Sequence, residues 1–78
     1  MARLLLFAGA REAAGVREAD LPGTSLEEVL DAACARFGTT FTRVLAASRV
    51  WVNGSPALPE APLGPADEVA VIPPVSGG

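Results

Sequence analysis

The sequence lacks several residue types on which catalysis commonly depends. Its 78 residues include no histidine, no tyrosine and no lysine, and Cys34 is the single cysteine. Histidine is the commonest general base, and lysine supplies Schiff-base amines and contacts phosphate in P-loops. One cysteine forms neither an internal disulfide nor a multi-cysteine metal site, which is typical of the reducing cytoplasm. We therefore expect a cytoplasmic chain that binds no metal and no cofactor of its own and is non-catalytic when alone.

Positive charge and long apolar runs are also scarce. The six basic residues are all arginine, lie scattered along the chain, and are outnumbered by nine acidic residues. Because nucleic acid needs a basic stripe for its phosphates, it is not an expected partner. No apolar run approaches the roughly 18 residues of a membrane span, so no membrane partner is expected. We interpret the short run from Leu4 to Ala8 as a strand rather than as part of a signal peptide.

Half of the residues are apolar, which is enough for a folded core in one small domain. Eight glycines and seven prolines must then be placed in turns and at the ends of elements. The sequence predicts a single domain over residues 1–73, followed by an extended tail over residues 74–78.

One segment carries a strong helix signal. Thr24 and Ser25 are each followed three residues later by a glutamate, as a capping box requires. Gly38 is a suitable residue to end this helix at its C-terminus. Cys34 lies in the apolar stripe, so we expect a buried thiol rather than a reactive one. The stripe consists of Leu26, Val29, Leu30, Ala33, Cys34 and Phe37, at helical spacing.

Strand signals flank this helix. They lie at residues 3–8, 16–21, 49–52, 55–58 and 68–72, with the fourth short and at an edge because Pro56 interrupts it. Asn53-Gly54 is the preferred turn between two strands of a hairpin. The order predicts an α+β fold, a mixed sheet of about four to five strands with one main helix on one face. We expect the first and last strands to be neighbours, because they are the most apolar.

The remaining segments give weaker signals. Residues 9–15 are expected to form a loop or a frayed turn, and residues 41–47 a short helical or irregular segment. Trp51 is expected to be partly buried. Since side chains alternate along a strand, Leu5 and Phe7 should face away from Leu4 and Leu6. Phe7 either packs in the core or lies exposed as part of a docking surface.

The run from Pro73 to Gly78 suggests a function. Two prolines cannot extend a sheet and favour a stiff polyproline II conformation, and Gly77 and Gly78 can enter a slot too narrow for side chains. Fully extended, Pro74 to Gly78 could reach roughly 17 Å. The reactive group would then be the α-carboxylate, which needs activation, for example by adenylation, before a nucleophile can attack it. A flexible, idle end is the alternative for a lone pair of glycines.

Several separated segments of the sequence carry a recognisable pattern: Leu5 to Ala8, Arg11-Glu12, Gly15, Val52-Asn53, Asp67 to Ala70, and Ile72 to Gly78. Together they resemble a known family, the MoaD-type ubiquitin-like sulfur carriers that form the small subunit of molybdopterin synthase. The resemblance covers nearly the whole chain and is most specific at its C-terminal block. A glycine is usual in the family where this chain has Ala66; a turn with a positive φ there would strain Ala66, and a turn set by Gly64 with Pro65 is the alternative.

The resemblance implies a β-grasp fold and a sulfur-carrier cycle. A ubiquitin-activating-type adenylating enzyme, which uses ATP, would adenylate the Gly78 carboxylate, and a sulfur donor protein would convert it to a thiocarboxylate. The tail would then enter the large subunit of molybdopterin synthase and donate sulfur to the pterin precursor. Gly78 would carry the chemistry; the expected partner-binding residues are Gly77, Ser76, Val75, Pro74, Pro73 and Phe7.

Two alternatives remain open at this stage. A sulfur carrier for thiazole or cysteine biosynthesis has the same fold and the same Gly-Gly end, although the residues before the glycines favour molybdopterin. A ubiquitin-like protein modifier, or a passive interaction module, belongs to a different functional class.

Overall fold

The computed structural model describes residues 1–74, which form a mixed sheet of five strands together with three helices. The strands are β1 (Ala2–Leu6), β2 (Glu18–Leu21), β3 (Arg49–Val52), β4 (Ser55–Pro56) and β5 (Glu68–Ile72). The helices are α1 (Ala8–Ala14), α2 (Leu26–Phe37) and α3 (Thr39–Ala46). The strand order is β2-β1-β5-β3-β4. β1 and β5 pair in parallel and every other pair is antiparallel, which confirms that the first and last strands are neighbours.

The core lies between one face of the sheet and the helices. Alternate residues of the two central strands, Leu4 and Leu6 of β1 and Val69 and Val71 of β5, are buried. Phe41 of α3 is fully buried in the same cluster. No polar or charged residue of the described chain is buried. All three helices contribute to this one cluster, so within residues 1–74 no helix covers the other face of the sheet, which we call the open face.

The main helix forms where the sequence predicts it. Ser25, rather than Thr24, is the N-cap, and its hydroxyl accepts a hydrogen bond from the Glu28 N–H at 3.2 Å. The Glu28 carboxylate accepts the backbone N–H of Thr24 at 2.7 Å and its hydroxyl at 3.0 Å, which lowers the pKa of Glu28 from its ordinary value of 4.5. Cys34 packs against the core and is half-buried, so its thiol is less buried than the sequence predicts.

The structure corrects the loop or frayed turn expected at residues 9–15. The helix α1 occupies this part of the chain, and Gly15 is its C-cap. Its Ala10 is fully buried, and Gly15 ends the helix in the left-handed region at φ 79°, with its N–H bonded to the Arg11 carbonyl at 2.9 Å. Seven residues are too few to show an apolar periodicity, so packing rather than pattern defines this helix. The second strand is also shorter than expected and begins at Glu18 instead of Val16.

The turns agree with the sequence. Asn53 and Gly54 both have left-handed φ values, 51° and 82°, as a two-residue hairpin turn requires, and the short strand β4 lies at the sheet edge. Ala66 is not among the residues with positive φ. Instead, the Asp67 N–H donates to the Gly64 carbonyl at 3.1 Å, so the turn closes without strain at Ala66. Within residues 1–74, no helix is long and apolar enough to cross a membrane.

Candidate functional site

The parallel pairing of β1 and β5 brings the candidate docking residue and the start of the tail to one end of the sheet. Leu6 lies opposite Val71 in the register, so Phe7 and Pro73 both follow the ends of neighbouring strands. Phe7 is 46% exposed, so it does not pack in the core, and its role in docking stays a prediction. Pro73 is half-buried and Pro74 is exposed. The structure therefore places the three described candidate residues on one accessible end of the molecule.

Phe7 belongs to a wider apolar surface on the open face of the sheet, which we term the docking face. Leu5 lies opposite Ala70, and Ala70 lies opposite Trp51, so these residues form one row across three strands. Ile72 is 37% exposed beside them. Exposed apolar patches of this kind usually mark interfaces. The docking face consists of Leu5, Phe7, Trp51, Ala70 and Ile72.

Sequence reasoning missed the contributions of Trp51 and Ile72 to this surface. The signal was available in the alternation of β3 and β5, because Val50 and Val52 pack against the core while Trp51, between them, faces the other way. Trp51 is half-buried, as the sequence predicts, but on the open side of the sheet.

A hollow of about 490 Å³ beside Phe7 carries a local positive charge. Arg11 of α1 and Arg17 line it, together with Glu18 and the leucines of β1. The Leu6 N–H donates to the Arg17 carbonyl at 2.9 Å, which holds that residue beside the end of β1. Two guanidinium groups against one carboxylate make this end of the docking face cationic, on a chain whose net charge is −3.

A second hollow, which we term the root groove, lies between α1, the end of α3 and the start of the tail. Its volume is about 560 Å³, and most of its walls are small and apolar. Ala8 adopts a left-handed φ of 48°, which is unusual for a residue with a Cβ and often accompanies functional sites. The root groove is lined by Ala8, Gly9, Glu12, Val44, Ala47, Pro73 and Pro74.

Two segments that match the family, Val52-Asn53 and Asp67 to Ala70, meet at the start of β5, far from the tail, and stabilise the fold. The Asn53 side-chain amide donates to the Asp67 carboxylate at 2.9 Å, and its carbonyl oxygen accepts the Glu68 N–H at 2.9 Å. The Gly64 N–H donates to Asp67 at 2.7 Å. The Gly64 bond, followed by that of Asn53, lowers the pKa of Asp67 from its ordinary value of 3.8. This network fixes the start of the strand that leads to the tail.

Four candidate residues, Val75, Ser76, Gly77 and Gly78, lie outside the described residues, and their roles stay predictions. The division into a domain over residues 1–73 and a tail over residues 74–78 also stays a prediction. In the part of the chain that is described, no group of three or more histidine, cysteine, aspartate or glutamate side chains is placed to hold a metal ion.

A mixed five-stranded sheet with a main helix across one face and parallel first and last strands defines a ubiquitin-like β-grasp protein. At one end of the sheet, half-buried Pro73 and exposed Pro74 follow the last strand. The chain belongs to the ThiS family of ubiquitin-like sulfur carriers, whose model matches residues 4–78.

Several solved structures share this fold with the chain. SAMP1 of Haloferax volcanii is 31% identical, with 99% of this chain and 98% of that chain covered and a TM-score of 0.83. A candidate molybdopterin converting factor, subunit 1, of Pyrococcus furiosus is 26% identical, covering 95% and 97%, with a TM-score of 0.79. The BexX/CysO complex of Amycolatopsis orientalis contains a chain that is 19% identical over the full length of both, with a TM-score of 0.83, which shows the fold alone. No curated protein matches the sequence. These findings confirm the predicted fold class and family.

Proposed function

We propose that this protein carries sulfur on the carboxyl group of Gly78 and donates it to the pterin precursor of molybdopterin, as the small subunit of molybdopterin synthase. The observation that carries the proposal is the parallel pairing of β1 and β5, because it places exposed Phe7 beside the exit at Pro73 and Pro74. A partner that covers the docking face is then positioned to receive the residues that follow.

The chemistry requires partners because the chain has few groups that could perform it. A carboxylate is a poor electrophile, so an adenylating enzyme joins a Gly78 carboxyl oxygen to the α-phosphorus of ATP, and pyrophosphate leaves. A hydrosulfide equivalent from a sulfur donor protein then attacks the acyl carbon, and AMP leaves with the bonding electron pair. The product is a thiocarboxylate, formed without net oxidation or reduction. The large subunit of the synthase supplies the site in which the sulfur passes to the pterin precursor.

Intact-mass spectrometry tests this proposal directly. The protein is incubated with the adenylating enzyme, ATP and the sulfur donor, and the expected result is the mass increase of one sulfur replacing one oxygen. Deletion of Gly78, or addition of one residue after it, should abolish the gain while leaving thermal unfolding unchanged. Gly77→Val should do the same by steric exclusion, whereas Ala35→Val, on the exposed side of α2, serves as the control for the added side chain. Sulfur gain by the Gly78 deletion would refute the proposal.

A protein modifier is the second candidate, and one comparison favours it. SAMP1, a small archaeal modifier protein, shares 31% identity over nearly the full length of both chains. A modifier would form an amide between Gly78 and an amine of a target protein. Purification from cells separates the two functions, because conjugation gives adducts of protein size, whereas a carrier gives free chains in which one sulfur has replaced one oxygen.

A further inference from the structure

The root groove lies beside the exit of the tail but has no part in the cycle described above. A Cβ at Gly9 of α1 would lie 4.0 Å from Cγ1 of Val44 of α3, which is an ordinary van der Waals distance, so the two helices are neighbours at the groove. The two helices therefore form a continuous floor, and the prolines of the tail form one wall. A hollow of about 560 Å³ with small apolar walls has room for a long side chain.

The electrostatics of the groove favour a cation. Glu12 is exposed and is the one charged side chain among the lining residues. It takes no part in the single ion pair found within residues 1–74, which joins Arg3 to Asp20 at 3.9 Å. The helix α3 ends at Ala46 with Ala47 as its C-cap, so its dipole adds partial negative charge near the groove. The Val44 and Leu45 carbonyls already accept hydrogen bonds from Ala47 and Ser48, which leaves Glu12 as the group that pairs with a cation. Arg43, in the last turn of that helix, does not line the groove.

We propose that the root groove binds the side chain of an arginine or lysine from the adenylating enzyme. The aliphatic stem packs on Val44, Ala47 and the Pro73 ring, and the cationic group pairs with Glu12. A long side chain with an apolar stem and a charged head is the group whose chemistry matches both the walls and the carboxylate.

The position of the groove indicates that its occupant belongs to a protein that takes up the tail, and the adenylating enzyme is the first such protein in the proposed cycle. Pro73 and Pro74 form part of its wall, so a protein that admits the residues after Pro74 into its active site must come against the groove. The bound side chain holds the start of the tail from the helix side, while Phe7 anchors the open face of the sheet. Two contacts on opposite sides fix the direction in which the tail leaves, which helps to position the carboxylate for reaction. This inference rests on the proposed function.

The test compares two groove variants with two matched controls. Glu12→Arg reverses the charge and Ala47→Leu fills the space. Asp31→Arg and Ala35→Leu make the same changes at exposed positions of α2. The measurement is the dissociation constant of the complex with the adenylating enzyme, together with ATP-dependent pyrophosphate release. We expect each groove variant to raise the dissociation constant about tenfold, which corresponds to about 1.4 kcal/mol, and each control to change it less than about twofold.

The possible outcomes separate this inference from the function on which it rests. If wild-type protein drives pyrophosphate release and both groove variants bind as wild type does, the groove assignment is wrong and the carrier function stands. Equal weakening by Glu12→Arg and Asp31→Arg would also overturn the assignment, because it would reflect net charge alone. If the wild-type protein is not adenylated, the proposed function fails and the inference fails with it. All four substitutions alter exposed side chains, so thermal unfolding should confirm intact folds.

Discussion

Two phenylalanines in different environments allow a quantitative test of the fold and of the docking face together. Phe41 is fully buried, and its ring meets that of Phe37 edge to face, with centroids 5.2 Å apart and planes at 60°. Phe7 is 46% exposed. Removing a buried phenylalanine ring costs about 3–5 kcal/mol, because the lost transfer energy adds to the cost of the cavity. A substitution on the surface typically changes stability by less than about 0.5 kcal/mol.

These magnitudes are large relative to the stability of so small a domain. At about 0.05–0.15 kcal/mol per residue, 78 residues give a free energy of unfolding of about 4–12 kcal/mol. Phe41→Ala should therefore remove about a quarter or more of the stability. Phe41→Leu keeps most of the volume and should lose mainly the aromatic pair, which contributes about 0.5–1.5 kcal/mol.

The stability of each variant is measured by urea unfolding, followed by the fluorescence of Trp51. With a slope of about 1–3 kcal/mol per molar urea, Phe41→Ala should lower the midpoint by at least about 1 M. Phe7→Ala should leave the midpoint nearly unchanged and instead weaken binding to the partner that covers the docking face. A loss below about 1 kcal/mol for Phe41→Ala, or an equal loss for both alanine variants, would refute the assignment of one ring to the core and the other to the surface.

Three further predictions concern the turns and caps. Because the pKa of Asp67 is lowered in the folded state, its hydrogen bonds stabilise the fold fully above its ordinary value of 3.8, and this contribution is lost as the pH falls through the lowered pKa. Asp67→Asn should therefore flatten the dependence of Tm on pH in this acidic range. Gly23→Ala should cost about 2 kcal/mol or more, because φ is 142° and the new Cβ would lie 2.9 Å from the backbone nitrogen of Val29. Gly15→Ala, with no heavy atom within 4 Å, should cost only about 1 kcal/mol. Ser25→Ala removes the N-cap of α2 and should cost about 1 kcal/mol, as measured by urea unfolding.

A different experimental result would contradict each of these three predictions. An unchanged pH profile for Asp67→Asn would mean that its carboxylate is not held by the Gly64 and Asn53 donors. Equal losses for the two glycine variants would contradict the close approach at Gly23. Full stability of the Ser25 variant would mean that the helix is fixed by packing alone.

The sequence predicted the elements whose signals are local. The capping residues and apolar stripe of α2 identified that helix, and Asn53-Gly54 identified the hairpin, because each signal acts within a few residues of chain. α1 was missed, since its seven residues show no stripe and its buried Ala10 gains its role only by packing on the core. For Cys34, membership in the apolar stripe indicated burial, but the residue lies at the margin of that stripe and is half-buried.

For the site, the sequence identified Phe7, Pro73 and Pro74 as candidates but not the surfaces that join them. The root groove combines residues near positions 8–12, 44–47 and 73–74, which no local pattern connects. The same holds for the row from Leu5 through Ala70 to Trp51, which exists only because three strands distant in sequence are neighbours.

By itself, the sequence determined the kind of fold, the main helix and the hairpin, because backbone preferences of single residues and short periodic patterns encode these features. Only the tertiary structure decided which face of the sheet stays open, that Phe7 is exposed, and that α1, α3 and the prolines enclose a groove. The physical reason is the pairing of β1 with β5, which joins residues such as Leu6 and Val71 from opposite ends of the chain. Such contacts depend on the packing of the whole core, and no short segment specifies them.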